Sequence, residues 1–122
     1  MRHTSLLERL RTVCMGLPET TEKRSHGEPA WFAGGKMFAM FDNSHHRSGH
    51  IGVWCAATHD AQDVLVRVNP HVYFVPPYVG HRGWIGIRLD GGVDWNELTE
   101  IVEEAYRRVA PKRLVARLPD RA

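Results

Sequence analysis

Residues able to do chemistry are scattered along this 122-residue chain in small groups, and each group suggests a different use. Glu19, Glu22, Glu28 and His26 are the ingredients of proton transfer, but nothing in their spacing fixes a donor–acceptor geometry. His45, His46 and His50 form an H-H-x-x-x-H cluster. On a helix, His46 and His50 would share a face and could hold zinc or nickel. Their segment, D-N-S-H-H-R-S-G, reads instead as a polar loop, with no cysteine or acid pattern to complete a ligand set, so no metal site is expected. Cys14 and Cys55 sit far apart in apolar stretches without C-x-x-C spacing, as buried reduced thiols do. There is no G-x-S-x-G, P-loop or H-E-x-x-H, and Gly34-Gly35 and Gly91-Gly92 are turn glycines, not a phosphate cradle. The expectation is a non-enzymatic chain without cofactor.

Two further groups suggest binding. Lys23, Arg24, Lys36, Arg47 and Arg82 fall in turns and edge strands, where cations would contact DNA phosphates. The plainer reading is that exposed turns are commonly charged. Trp31, Trp54, Tyr78 and Trp84, with His81 and Arg88, would line a groove for a planar small molecule or stack on bases. Equally, they would form the centre of a homodimer or pack on one another.

The stretch from Val75 to Asp90, V-P-P-Y-V-G-H-R-G-W-I-G-I-R-L-D, has to position most of this second group. After two prolines and a glycine-bounded turn it enters an alternating strand. Ile85, Ile87 and Leu89 point one way, and Trp84 and Arg88 the other. Around it the chain alternates between two periods. Ser5 to Leu17 reads as a helix with a capping box at Ser5 and Glu8, stopped by Gly16 and Pro18. Thr20 to Ser25 is a polar edge strand. Ala30–Ala33 and Lys36–Phe41 form a hairpin about Gly34-Gly35, and the second of these strands is apolar on both faces and therefore central.

His50 to Ala57 is a fourth strand, with Ile51, Val53 and Cys55 on one face and Trp54 on the other. Thr58 caps a second helix with an apolar stripe of Ala61, Val64, Leu65 and Val68. A short strand around Tyr73 precedes the central stretch. Asp94 caps a last helix that buries Leu98, Ile101, Val102, Ala105 and Val109 and ends at Pro111. Lys112 to Ala122 reads as a basic tail. The order implies one α+β domain over residues 1–122, in two layers with helices on one face of an antiparallel sheet. Trp54 and Trp84 then lie on the uncovered face, with Phe38 or its neighbours beside them, as a candidate contact surface.

Composition bounds the classes. At 43% hydrophobic and 25% charged the chain has the makeup of an ordinary globular domain. No apolar run reaches the roughly 20 residues of a membrane helix, and no secretion signal opens it, so a cytoplasmic protein without membrane contact is expected. A net charge of +2 falls short of a dedicated nucleic-acid binder.

Leu17-Pro18-Glu19-Thr20-Thr21-Glu22, Gly34-Gly35-Lys36-Met37-Phe38-Ala39, Pro77-Tyr78 with Gly83-Trp84-Ile85, and Ala105-Tyr106-Arg107 through Ala110-Pro111-Lys112 together resemble the YjbR/MmcQ family of small bacterial proteins. The resemblance spans nearly the whole chain. It implies a CyaY-like, secretion-chaperone-like fold and a "double wing" DNA-binding role proposed from shape. It supplies no catalytic residues to carry over. The first helix lacks frataxin's acidic ridge, which argues against an iron role.

Overall fold

The computed structural model describes residues 2–43 and 49–119, the side chains of residues 2–5 excepted. Helix α1 (Arg2–Met15) leads into strands β1 (Thr21–Ser25), β2 (Glu28–Ala33), β3 (Lys36–Asn43) and β4 (Ile51–Cys55). Helix α2 (His59–Val68), strand β5 (Tyr73–Phe74), a 3₁₀ turn at Gly80–Arg82, strand β6 (Ile85–Arg88), α3 (Trp95–Val109) and a short α4 (Lys112–Val115) follow. The six strands pair antiparallel in the order β1-β2-β3-β4-β6-β5. The two-layer α+β expectation is met.

Local chemistry explains most boundaries. Both tight hairpins turn on paired left-handed residues, His26-Gly27 (φ 53 and 84) and Gly34-Gly35 (φ 60 and 82), the combination that matches strand twist. Thr58 accepts from the Ala61 amide at 3.0 Å to cap α2, and Asp94 accepts from Asn96 and Glu97 to cap α3. The Glu97 carboxylate is itself held by the Tyr73 hydroxyl across the layer. The start of α1 differs from expectation: the helix begins at Arg2, so Ser5 lies inside it instead of capping it.

The layer assignment follows from contacts. Phe38 meets Tyr106 of α3 edge-on at 5.5 Å, Tyr73 reaches Glu97, and Arg11 of α1 binds Glu22 of β1. Phe41, Val53, Ile87 and Tyr73 form one cross-strand row on this helix side, and Ala39, Cys55 and Ile85 the next. All seven are at most 3% exposed. Between Trp31 and Phe32 the β2–β3 register slips by one residue. The slip puts Phe38 and Ala39 together on the helix side and leaves Met37 and Met40 together on the other. Phe38 is thus not on the uncovered face, and two methionines stand there.

The C-terminal stretch differs too. Residues 112–115 are helical, Leu114 is 1% exposed, and Arg107 Nη2 donates to the Pro119 carbonyl at 2.8 Å. What reads as a basic tail is packed onto the domain through at least Pro119.

Candidate functional site

The sheet face away from the helices carries Ala30, Met40, Trp54, Gly86 and Phe74 in one cross-strand row. Trp84 lies on the same face, two residues before Gly86. The segment 75–83 folds across this face and is tied down from α2. Gln62 Nε2 donates to the carbonyls of Gly80 (2.9 Å) and Trp84 (2.7 Å), and His59 Nε2 donates to that of His81 (2.9 Å). Gly83, left-handed at φ 91, packs so close to the α2 start that a Cβ would lie 2.8 Å from the His59 nitrogen.

Between this strap and the sheet is a cavity of about 560 Å³ lined by His26, Met37, Met40, Trp54, Tyr78, Val79 and Trp84. Its size falls within the roughly 300–1,000 Å³ of small-molecule sites, and its walls are almost wholly apolar. Trp54 and Trp84 are 2% and 5% exposed, so they form floor and wall, not the open surface expected of them. Tyr78 is the exception. It is 70% exposed, and its backbone holds φ 65, a conformation rare for an aromatic residue. Strain of this kind collects at ligand clamps.

The remaining aromatic candidate is elsewhere. Trp31 is fully buried on the helix side and donates its indole N–H to Glu22 Oε1 at 2.9 Å. The slip after it and its partner Glu22, which faces α1, decide its direction. Arg88 and Trp84 share a face by alternation, but Arg88 lies toward Asp90 (3.9 Å), and His81 is exposed on the 3₁₀ turn.

The cationic candidates do not gather into one patch. Lys23 Nζ sits 5.3 Å from the Phe32 ring centre and Arg82 5.6 Å from that of Trp84. Phe32 registers with pocket-lining Met37, and Trp84 itself lines the pocket. Arg24 closes its own turn by donating to the Gly27 carbonyl at 2.5 Å. Lys36 lies at the other end of β2, opposite Ala33, while Arg24 is opposite Pro29. Four residues at ~3.3 Å each separate those ends by about 13 Å. Arg47, like His45 and His46, is outside the described residues.

The acid–base candidates are taken up structurally. Glu19 pairs with Arg113 and Arg117, Glu22 with Arg11, and Glu28 accepts from the Asn43 amide. Burial pushes the Cys55 thiol up to about 12 and raises that of Cys14, which keeps both from acting as nucleophiles near neutrality. Among the described residues no group of three or more His, Cys, Asp or Glu converges on a point, and no helix is long and apolar enough to cross a membrane.

A family model described as YjbR matches residues 15–108, from the end of α1 to the last turn of α3. The chain belongs to the YjbR family. Among solved structures, a crystal structure of the Deinococcus radiodurans protein DR2400, carrying a DUF419 domain, is similar at a TM-score of 0.75 and 20% identity. The match covers 95% of this chain and 91% of that one, and at such identity it speaks to the fold. No curated protein matches.

Sequence reasoning missed Met37, Met40, Val79 and His26 as members of this pocket. Methionines and valines carry no spacing signal of their own. The available clue was the Pro76-Pro77-Tyr78 run, which cannot continue a strand and so has to leave the sheet edge.

Proposed function

We propose that this YjbR-family domain is a binding protein, not an enzyme, and that its open-face pocket takes a flat apolar small molecule bearing an acidic group. The observation that carries the reading is the apolar cavity floored by Trp54, Met37 and Met40, walled by Trp84 and lipped by the left-handed Tyr78. Arg82 over the lining Trp84, with Lys23 over Phe32 on the same sheet face, supports a preference for an anion.

Anilinonaphthalene sulfonate, planar and anionic, is a suitable probe. It should bind the native protein at one site and quench tryptophan emission. Tyr78→Gly should weaken it at least about tenfold, roughly 1.4 kcal/mol, without loss of stability, because glycine accepts φ 65 freely. Arg82→Glu should weaken it as well. Undiminished binding to Tyr78→Gly would place the ligand elsewhere.

Duplex DNA is the second reading. It is favoured by the placement of Lys23 and Arg82 at one sheet face, with Arg24 and Lys36 exposed at the hairpin ends. It requires an affinity that falls linearly with salt in log–log coordinates, each phosphate contact adding about 0.9 to the slope. A homodimer seated on Tyr78 would instead appear as a concentration-dependent mass in sedimentation.

A further inference from the structure

Helix α2 is amphipathic, yet none of its residues is fully buried. Ala61, Val64, Leu65 and Val68 follow helical spacing, but Val64 is 50% exposed and Val68 75%. Ala61 is exposed as well, so three of the four residues expected to be buried are uncovered, and Val66 packs against the core beside Leu65. Beside it, between α2 and α3, lies a groove of about 680 Å³. Ala56, Ala57 and Ile85 line it from the sheet, Ala61 and Leu65 from α2, and Ile101 from α3.

The α3 lip of this groove carries Glu97, Glu100 and Glu104, all exposed. Spacings of three and four residues set them in one row, and at 1.5 Å rise per residue the row is about 10 Å long. Arg107 and Arg108 close its C-terminal end. Glu103 meets the Arg107 charge at 3.0 Å, and Glu97 accepts from the Tyr73 hydroxyl. The lip is acidic although the chain as a whole carries +2.

We infer that this groove docks a basic amphipathic segment of a partner protein. Its apolar side chains pack over Leu65 and Ile101 and extend the cover to Val64 and Val68, and its lysines or arginines follow the glutamate row. Charge complementarity selects this occupant: the glutamate row repels nucleic acid and attracts a basic segment. The groove lies on the helix side, across the sheet from the Tyr78 pocket, so the inference is independent of what that pocket binds.

The test is an amide NMR titration of the full chain with a synthetic 14-residue Leu/Lys amphipathic peptide and its Leu/Glu counterpart (~14 residues being about 21 Å of helix). The Leu/Lys peptide should shift Ala57, Ala61, Leu65 and Ile101 while leaving His26 and Tyr78 unmoved. The double variant Glu100→Lys/Glu104→Lys, both positions exposed, should weaken binding at least about tenfold, and Val68→Asn about threefold. Equal affinity for the Leu/Glu peptide, shifts scattered over the surface, or an unchanged affinity in the double variant would each overturn the proposal. So would a peptide-free dimer whose interface maps to the same groove.

Discussion

Glu22 joins three elements through one carboxylate. Arg11 of α1 approaches it with two nitrogens at 2.7 and 2.9 Å, and the Trp31 indole of β2 donates at 2.9 Å. The Arg11 bond, helped by Trp31, holds the Glu22 pKa below its ordinary value against the opposing effect of burial. A carboxyl lowered in the folded state contributes stability above its unfolded pKa of about 4.3 and loses that contribution as pH falls through the folded value. Glu22→Gln should therefore cost about 1–3 kcal/mol near neutral pH, and the deficit measured by urea unfolding should narrow as the pH falls below about 4.3. His50 works in the opposite sense. Burial first, then the charge of Arg88, lowers its pKa. Below about pH 6.5 the unfolded chain takes up the proton more readily, so stability declines as the medium is acidified. His50→Gln should show a smaller fall in Tm between about pH 7 and pH 5 than the parent chain does. Neither coupling was legible in the sequence. Glu22 appeared there as one of four acid–base residues and Trp31 as a surface aromatic, because a partner eleven residues away on another element leaves no local trace.

At the scale of elements, what period and punctuation determine was readable, and what pairing geometry determines was not. The Gly34-Gly35 turn, the edge placement of β1 and the caps at Thr58 and Asp94 all follow from local chemistry. The slip between β2 and β3 does not, since E-P-A-W-F-A and K-M-F-A-M-F are apolar enough to hide which residue is extra. That single slip set the directions of Phe38, Met37 and Met40, and with them the pocket floor. The 75–83 strap was equally hidden, because its cover of the open face depends on Gln62 of α2. The tight turn also offers a clean comparison. Gly35 has open space where a Cβ would go, whereas a Cβ on Gly34 would lie 2.6 Å from Pro111 Cδ. Gly35→Ala should cost only its left-handed strain, about 1 kcal/mol, and Gly34→Ala roughly twice that or more. Chemical denaturation of the two variants checks the order, and equal costs would mean that Pro111 yields freely.

For the whole molecule, the question is how the two layers are closed where α3 ends. The Tyr106 hydroxyl donates to the Pro18 carbonyl at 2.7 Å, Pro111 abuts the β2–β3 turn, and α4 turns back so that Arg113 and Arg117 reach Glu19. Glu19 itself sits at φ 50. A count of charges in the sequence makes this stretch look like a solvated tail, because Leu114 and Leu118 are too few to register as a pattern. Two kinds of contact compete to explain why it stays. The Glu19 pairs involve side chains that are 51–67% exposed, and such pairs are worth about 0–1 kcal/mol. Leu114 is 1% exposed within the core, and removing a leucine from such a place costs about 2–5 kcal/mol. Burial should therefore dominate. Leu114→Ala should lower the urea midpoint sharply, while Arg113→Ala and Arg117→Ala shift it little and progressively less as salt is added. If the two arginine variants proved as damaging as Leu114→Ala, the closure would be electrostatic, and the basic C-terminal stretch would be held by its charges after all.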